Sequence, residues 1–281
     1  MSRVFEALQQ SGGGAGIPWV SDPQAPGAAV EISEQLEFDA SSLDRVPLLP
    51  ETAAPSHRLV AITDERTLGA EKVRVLGARL RSMQQQRALK KLLITSTMRD
   101  EGKSMVAANL AITLARSRQR TLLIDGDIRQ RSLEHLFGVA GITGLTDCWA
   151  NVDEVTKYLR RAEKFPMWFL SAGTPQEQPL EMLQSQRMSE LLAEIEGWFD
   201  WVIIDSPPML PLADSGVWSA LVDGLLFVVR EGKTPKKALA QVLRSLDKSR
   251  IVGTVMNDCS NVGHEYYYQY NPPSAQPSPK K

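Results

Sequence analysis

Lys103 and Ser104 follow Gly102 shortly after an apolar run, Leu92-Leu93-Ile94-Thr95, and open an Ala-rich stretch, Met105-Val106-Ala107-Ala108-Asn109-Leu110-Ala111. In that setting Gly-Lys-Ser is a phosphate cradle. Backbone N–H groups and a helix N-terminus attract anions, the lysine reaches the outer phosphates and the serine hydroxyl takes Mg²⁺. The loop's nucleotide-binding set is Glu101, Gly102, Lys103, Ser104 and Met105. Two more apolar runs end in carboxylates: Leu122-Leu123-Ile124 leads to Asp125-Gly126-Asp127, and Trp201-Val202-Ile203-Ile204 leads to Asp205. Ligands bind an open α/β sheet at its strand C-termini, and a hard cation bridging phosphates needs oxygen ligands there. Ser104, Asp205 and one or both of Asp125 and Asp127 are the expected metal ligands, and Lys103, Asp125 and Asp127 the candidate catalytic residues. One carboxylate holds Mg²⁺ while another accepts a proton from an attacking hydroxyl. An Asp-Gly pair is by itself a common turn. Thr97 also stands where a full phosphate-loop pattern wants a glycine, so the flanking strand and helix carry the reading. Lys103 is expected to lie exposed in an empty site.

A second chemical feature is Tyr266-Tyr267-Tyr268-Gln269-Tyr270, which holds four of the chain's five tyrosines. A phenol, with a pKa of about 10, needs a nearby base to attack a phosphate. The segment lacks apolar partners, so Tyr266, Tyr267, Tyr268 and Tyr270 read as phosphoacceptors on a flexible tail, with packing as the alternative.

The elements that must position these groups alternate. Strands are expected at 91–96, 121–125, 167–171, 201–205, 224–230 and 251–257. Helices are expected from Asp64 to about Gln86, over 103–118, near 132–137, from a cap at Asn151 through about Arg161, from Pro179 to about Glu196, and over 212–222. One more opens at Thr234-Pro235, read as a cap followed by proline in the first turn. Such alternation calls for an α/β fold, a mostly parallel doubly wound sheet with helices on both faces. Residues 1–10 read as a short docking helix, 11–56 as a flexible linker, 57–258 as the phosphate-binding domain and 259–281 as the tail.

Composition narrows the class. Hydrophobic residues make up 43% and charged residues 23%, as in a soluble globular protein, and the net charge of −1 gives no reason to expect a nucleic-acid partner. The two cysteines fit a reducing compartment. With no signal-peptide core and no apolar run of about 18 residues, the chain is expected in the cytoplasm.

Three runs occur together: Leu-Leu-Ile-Thr-Ser-Thr-x-x-x-Glu-Gly-Lys-Ser, Leu-Leu-Ile-Asp-x-Asp-x-Arg ending at Arg129, and Val-Ile-Ile-Asp-Ser-Pro-Pro. Together they resemble the Walker A, A′ and B motifs of the bacterial tyrosine kinases (BY-kinases) of capsule and exopolysaccharide systems. Val229-Arg230-x-Gly232-Lys233-Thr234, Gly253-x-Val255-x-Asn257 and the tyrosine tail extend the likeness over about residues 64 to 270. The resemblance implies a P-loop fold of the MinD/ParA kind. It also implies ATP and Mg²⁺, with trans-autophosphorylation of the tail in a homo-oligomeric ring that forms when the tail is phosphate-free. Asn257 would approach the adenine. The implied partners are a separate transmembrane chain-length regulator that activates the kinase and a cognate tyrosine phosphatase, with the kinase peripheral to the inner membrane through that regulator. This sequence departs from the family in three ways, one of them an N-terminal arm through Ser56 that is longer than a minimal kinase needs. Arg99-Asp100 replaces the usual Pro-Gly, and Gly77 stands where the second arginine of Glu71-x-x-Arg74-x-x-Arg belongs, with Arg79 nearby. Two alternatives are a partition or division-site ATPase, disfavoured by Met98 where those carry a lysine, and a non-catalytic nucleotide-binding partner.

Overall fold

The computed structural model describes residues 41–50, 56–151, 154–210 and 214–259. The tyrosine tail beyond 259, the expected helix at 1–10 and most of the 11–56 segment lie outside them. In chain order the elements are α1 (Ser41–Asp44), α2 (Val60–Thr63), α3 (Leu68–Gln84), β1 (Lys91–Ser96), α4 (Lys103–Arg116), β2 (Thr121–Asp125), α5 (Ser132–Phe137) and α6 (Leu145–Ala150). They continue as β3 (Arg160–Arg161), β4 (Met167–Leu170), α7 (Pro179–Gln184), α8 (Gln186–Glu196), β5 (Trp201–Asp205), α9 (Asp214–Leu221), β6 (Gly224–Arg230), α10 (Lys236–Ser245) and β7 (Ile251–Asn257).

The strands form one sheet in the order β3-β4-β2-β5-β1-β6-β7, parallel except for β3 against β4. Alternate strand residues point to opposite faces. Leu93, Leu122, Ile124, Val202 and Ile204 therefore share one core with Met188, Leu192, Ile195 and Trp218 of α8 and α9. Leu92, Ile94, Leu123 and Ile203 share the other with Leu80 of α3 and Leu110 and Leu114 of α4. Burial on both faces explains why these strands read as continuous apolar runs. The register sets Asp125 beside Asp205, and Ile94 on the other flank of Asp205. Three motif-bearing strand ends thus stand side by side.

The sequence reading needs four corrections. Leu43 and Val46 are buried, Leu43 O accepts from Trp168 Nε1, and Leu48 bridges Arg161. The stretch 42–50 is therefore packed against the β3–β4 edge and is no flexible linker. No helix runs to Arg161: a short turn at 155–157 leads into antiparallel β3, held where Arg161 N donates to Pro47 O. The helix expected from Pro179 is two helices, broken at Ser185 (φ −70, ψ 147), whose hydroxyl caps the second by accepting from Met188 N. Thr234 does not cap α10; its hydroxyl accepts from Arg230 N and donates to Glu101. Helix α6 had no expectation. It is anchored where Leu145 N and Thr146 N donate to the carbonyls of Ser171 and Ala172.

In α3, Glu71 pairs with Arg74, and Gly77 is buried against Thr113 and Leu114 of α4. An arginine side chain there would run into the contact between these helices, while Arg79 lies on the exposed face.

Candidate active site

A strand-loop-helix connection builds the phosphate cradle. Gly102 precedes α4 at φ 93, a conformation glycine tolerates, and a Cβ there would collide with the Asn257 amide. Asn257 Nδ2 donates to Glu101 O at 3.0 Å. Glu101 is buried, with Oε2 accepting from Met98 N at 3.0 Å and Oε1 taking the Thr234 hydroxyl. Its side chain thus staples the loop shut. Asp100, where the resemblance leads one to expect glycine, adopts φ 62, and its carbonyl accepts from Arg230 Nη1 at 3.0 Å. Asparagine and aspartate tolerate this left-handed region better than other side chains.

Lys103, expected to be exposed, is 8% exposed. Its ammonium lies 3.1 Å from Asp127 Oδ2, 3.9 Å from Asp205 Oδ1 and 3.3 Å from Ser104 Oγ. The lysine offsets the charge of the acids beside it. Burial pulls its ammonium pKa down, but Asp205, Asp127 and Asp125 together outweigh that and hold it above the usual value.

The carboxylates differ in their partners. Asp125 Oδ1 accepts from Asp127 N and Oδ2 from Leu133 N, both at 3.2 Å. Burial, then repulsion from Asp205, pushes its pKa well above the usual carboxylate range. Asp127 Oδ1 accepts from Gln130 N at 3.2 Å. Asp205 is fully buried, and among the described residues neither of its oxygens receives a hydrogen bond of ordinary geometry. Burial lifts its pKa to about 6, against the opposing pull of Lys103 and the Ser104 hydroxyl. The Thr97 hydroxyl in the loop is likewise buried without a partner among the described residues.

An unsatisfied buried carboxylate facing a phosphate cradle and a serine hydroxyl fits a magnesium–nucleotide site. Among the described residues no group of three or more His, Cys, Asp and Glu side chains is spaced to enclose a metal. Mg²⁺ fits that pattern, because it keeps waters and leans on substrate phosphates. The cleft above the loop has a volume of about 770 Å³, lined by Lys103, Ser104 and Met105, by Arg58 and His135 on one side, and by Arg230, Lys233 and Asn257 on the other.

Of the residues expected at the site, Gly102, Lys103, Ser104, Met105 and Asn257 line the cleft. Asp127 and Asp205 are buried beside the Lys103 ammonium, Asp125 is buried beside Asp205, and Glu101 is buried behind the loop. Sequence reasoning missed Arg58, whose carbonyl accepts from Asn109 Nδ2 of α4 at 2.9 Å. No periodicity marks that segment. It also missed the role of Thr234, for which the neighbouring Arg230-x-Gly232-Lys233 run was the available signal.

Comparison with known proteins places this geometry. The "CobQ/CobB/MinD/ParA nucleotide binding domain" matches residues 92–267. The tyrosine-protein kinase YwqD of Bacillus subtilis is 31% identical over 214 residues, 75% of this chain and 90% of that protein. The succinoglycan biosynthesis transport protein ExoP of Rhizobium meliloti is 34% identical over 171 residues, which cover 59% of this chain and 22% of ExoP. The kinase domain of the Escherichia coli tyrosine kinase ETK superposes with a TM-score of 0.67 at 29% identity, over 78% of this chain and 88% of that domain.

Proposed function

Because this chain belongs to the CobQ/CobB/MinD/ParA nucleotide-binding family, and within it to the bacterial tyrosine-protein kinases, we propose that its cleft transfers the γ-phosphoryl group of ATP to the tyrosines of its own tail. The chain is a protein-tyrosine kinase of the kind associated with exopolysaccharide biosynthesis. One observation carries the residue-level reading: Lys103 and three buried carboxylates converge at adjacent strand ends, and among the described residues the oxygens of Asp205 receive no hydrogen bond of ordinary geometry.

The loop and the α4 N-terminus hold the phosphates, and Lys103 turns from Asp127 towards the outer phosphate oxygens. Ser104, Asp125 and Asp205 would hold Mg²⁺, which would offset the negative charge that develops during phosphoryl transfer. Asp127, released from Lys103, accepts the phenolic proton as the tyrosine oxygen bonds to the γ-phosphorus and the bond to ADP breaks. Tyr266, Tyr267, Tyr268 and Tyr270 are the acceptors, presented by a neighbouring copy. Among the described residues no helix is long and apolar enough to cross a membrane. A separate membrane-spanning polysaccharide regulator fits as activator, with a tyrosine phosphatase to reset the tail.

Mass spectrometry after incubation with ATP and Mg²⁺ tests this. Phosphate on residues 266–270 that vanishes in Asp125→Asn is expected. An unmodified tail, even with the activator's cytoplasmic segment added, overturns self-phosphorylation.

A further inference from the structure

Helix α9 touches both acidic strand ends. In its first turn Ser215 Oγ donates to Pro207 O at 2.6 Å and to Pro208 O at 3.1 Å, holding the loop that leaves Asp205. Asp214 Oδ2 accepts from Arg129 Nε at 2.8 Å, two residues past Asp127. One turn further on, the fully buried Trp218 donates from Nε1 to Gly126 O at 3.2 Å, at the residue between Asp125 and Asp127. Gly126 N in turn donates to Asp205 O at 2.8 Å. A Cβ on Gly126 would lie 2.7 Å from Asp205 O and 3.0 Å from the Trp218 ring. The turn is therefore pressed between the indole and β5, and both of its central backbone groups are claimed.

Packing alone does not require this arrangement. An aliphatic side chain would fill the apolar core but would leave the Gly126 carbonyl buried and unpaired. Carboxylates that share a cation and a phosphate must be held to within about 0.5 Å of productive geometry. We propose that Trp218 is a positioning residue: α9 sets the spacing between Asp205 and the Asp125–Asp127 turn, and the indole N–H fixes that turn's orientation. The inference rests on the magnesium–nucleotide reading of the cleft.

The test titrates ADP binding in EDTA and in Mg²⁺ for the full chain, for Trp218→Phe and for Asp205→Asn. Trp218→Phe keeps an aromatic ring, smaller than the indole, and loses the donor. It should bind ADP in EDTA as the wild type does, lose about tenfold of the Mg²⁺-dependent gain in affinity, and drop kcat with little change in the KM for ATP. Val222→Ala, a core truncation just beyond α9, should lower the melting temperature and leave the Mg²⁺ gain intact. If Trp218→Phe keeps its full gain, or Val222→Ala loses as much, the positioning role is overturned. Should Trp218→Phe fail to fold, Arg129→Gln breaks the other tie from the exposed side and should lose part of the gain; an unchanged gain there overturns the proposal. Asp205→Asn separates the two levels of inference. A Mg²⁺ gain that survives in it removes the metal site itself, whereas a gain lost there and kept in Trp218→Phe removes only the positioning role.

Discussion

On its β2–β5 side the phosphate loop faces three carboxylates that solvent does not reach, whereas on its β6–β7 side it is tied by side chains that stay partly in water. Asp125, Asp127 and Asp205 are at most 1% exposed, fixed by parallel register and by α9. Across the loop, Arg230 and Asn257 close strands at the sheet edge, where Met256 of β7 is 59% exposed. The interior side gathers like charges into low dielectric around one lysine. The edge side offers hydrogen bonds to the loop's backbone and to Glu101. The first arrangement costs folding energy and, in the proposed mechanism, serves chemistry; the second shapes the loop with groups that water can partly replace. Substitutions on the two sides should therefore fail in opposite ways.

The largest contrast is Lys103→Met against Asp205→Asn. Both should lower tail phosphorylation by about 100-fold or more, the scale for losing a group that meets transition-state charge. Their stabilities should diverge. Lys103→Met strips the cation from a buried acidic cluster and should lower the melting temperature of the nucleotide-free protein at pH 7. Asp205→Asn removes a buried charge and should raise it. If thermal unfolding shows both variants destabilised alike, the cluster is not strained.

The pH dependence sharpens this. Asp205 has a folded-state pKa of about 6 against an ordinary value of 3.8. Between those values the folded state binds more protons than the unfolded one, so this group's contribution falls as pH rises. The strain is absent below about pH 4 and fully present above about pH 6, amounting to a few kcal/mol by the shift alone. The advantage of Asp205→Asn over wild type, measured by urea unfolding without Mg²⁺, should thus grow from pH 4 to 6 and then level off. An advantage that stays flat across that window assigns the stabilisation to packing instead.

The same contrast decides what the sequence makes legible. The interior side read almost completely. Strands 91–96, 121–125 and 201–205 match residue for residue, because burial on both faces leaves unbroken apolar runs with the loop and the acids at their ends. Tertiary context decided the rest. Leu43 and Val46 looked like linker because two apolar residues have no period, yet β3 and β4 gave them an edge to cover. Thr234-Pro235 carried an ordinary capping signal, and a buried Glu101 more than 130 residues away outcompeted it. Lys103 looked solvent-facing until three acids, far apart in sequence, were gathered around it.

On the edge side Thr234→Val removes the donor to Glu101 and leaves a buried carboxylate oxygen short of a partner, a cost of about 1–3 kcal/mol. The expected result is a KM for ATP raised about 3- to 10-fold with kcat largely kept, since the loop loosens while the acids stay fixed. A fall in kcat at constant KM would mean that the edge ties help set the chemistry as well as the loop's shape.

The smallest effect should come from Asp100→Gly. Asp100 already adopts the left-handed conformation of the glycine it replaces, so the loop's path is kept and only conformational cost and charge distinguish the two residues. Relief of the left-handed strain, about 1 kcal/mol, is offset by the 0.5–1 kcal/mol that a glycine adds to the freedom of the unfolded chain. Stability should hardly move. Charge is then the remaining difference: Asp100 lines the phosphate cleft, and its removal should tighten ATP binding about 2- to 5-fold at low salt, fading as ionic strength rises. A gain that persists at high salt would point to loop geometry as the cause. Equal affinity in both variants at low salt would mean that Arg230, bonded to the Asp100 carbonyl, already screens the carboxylate from the phosphates.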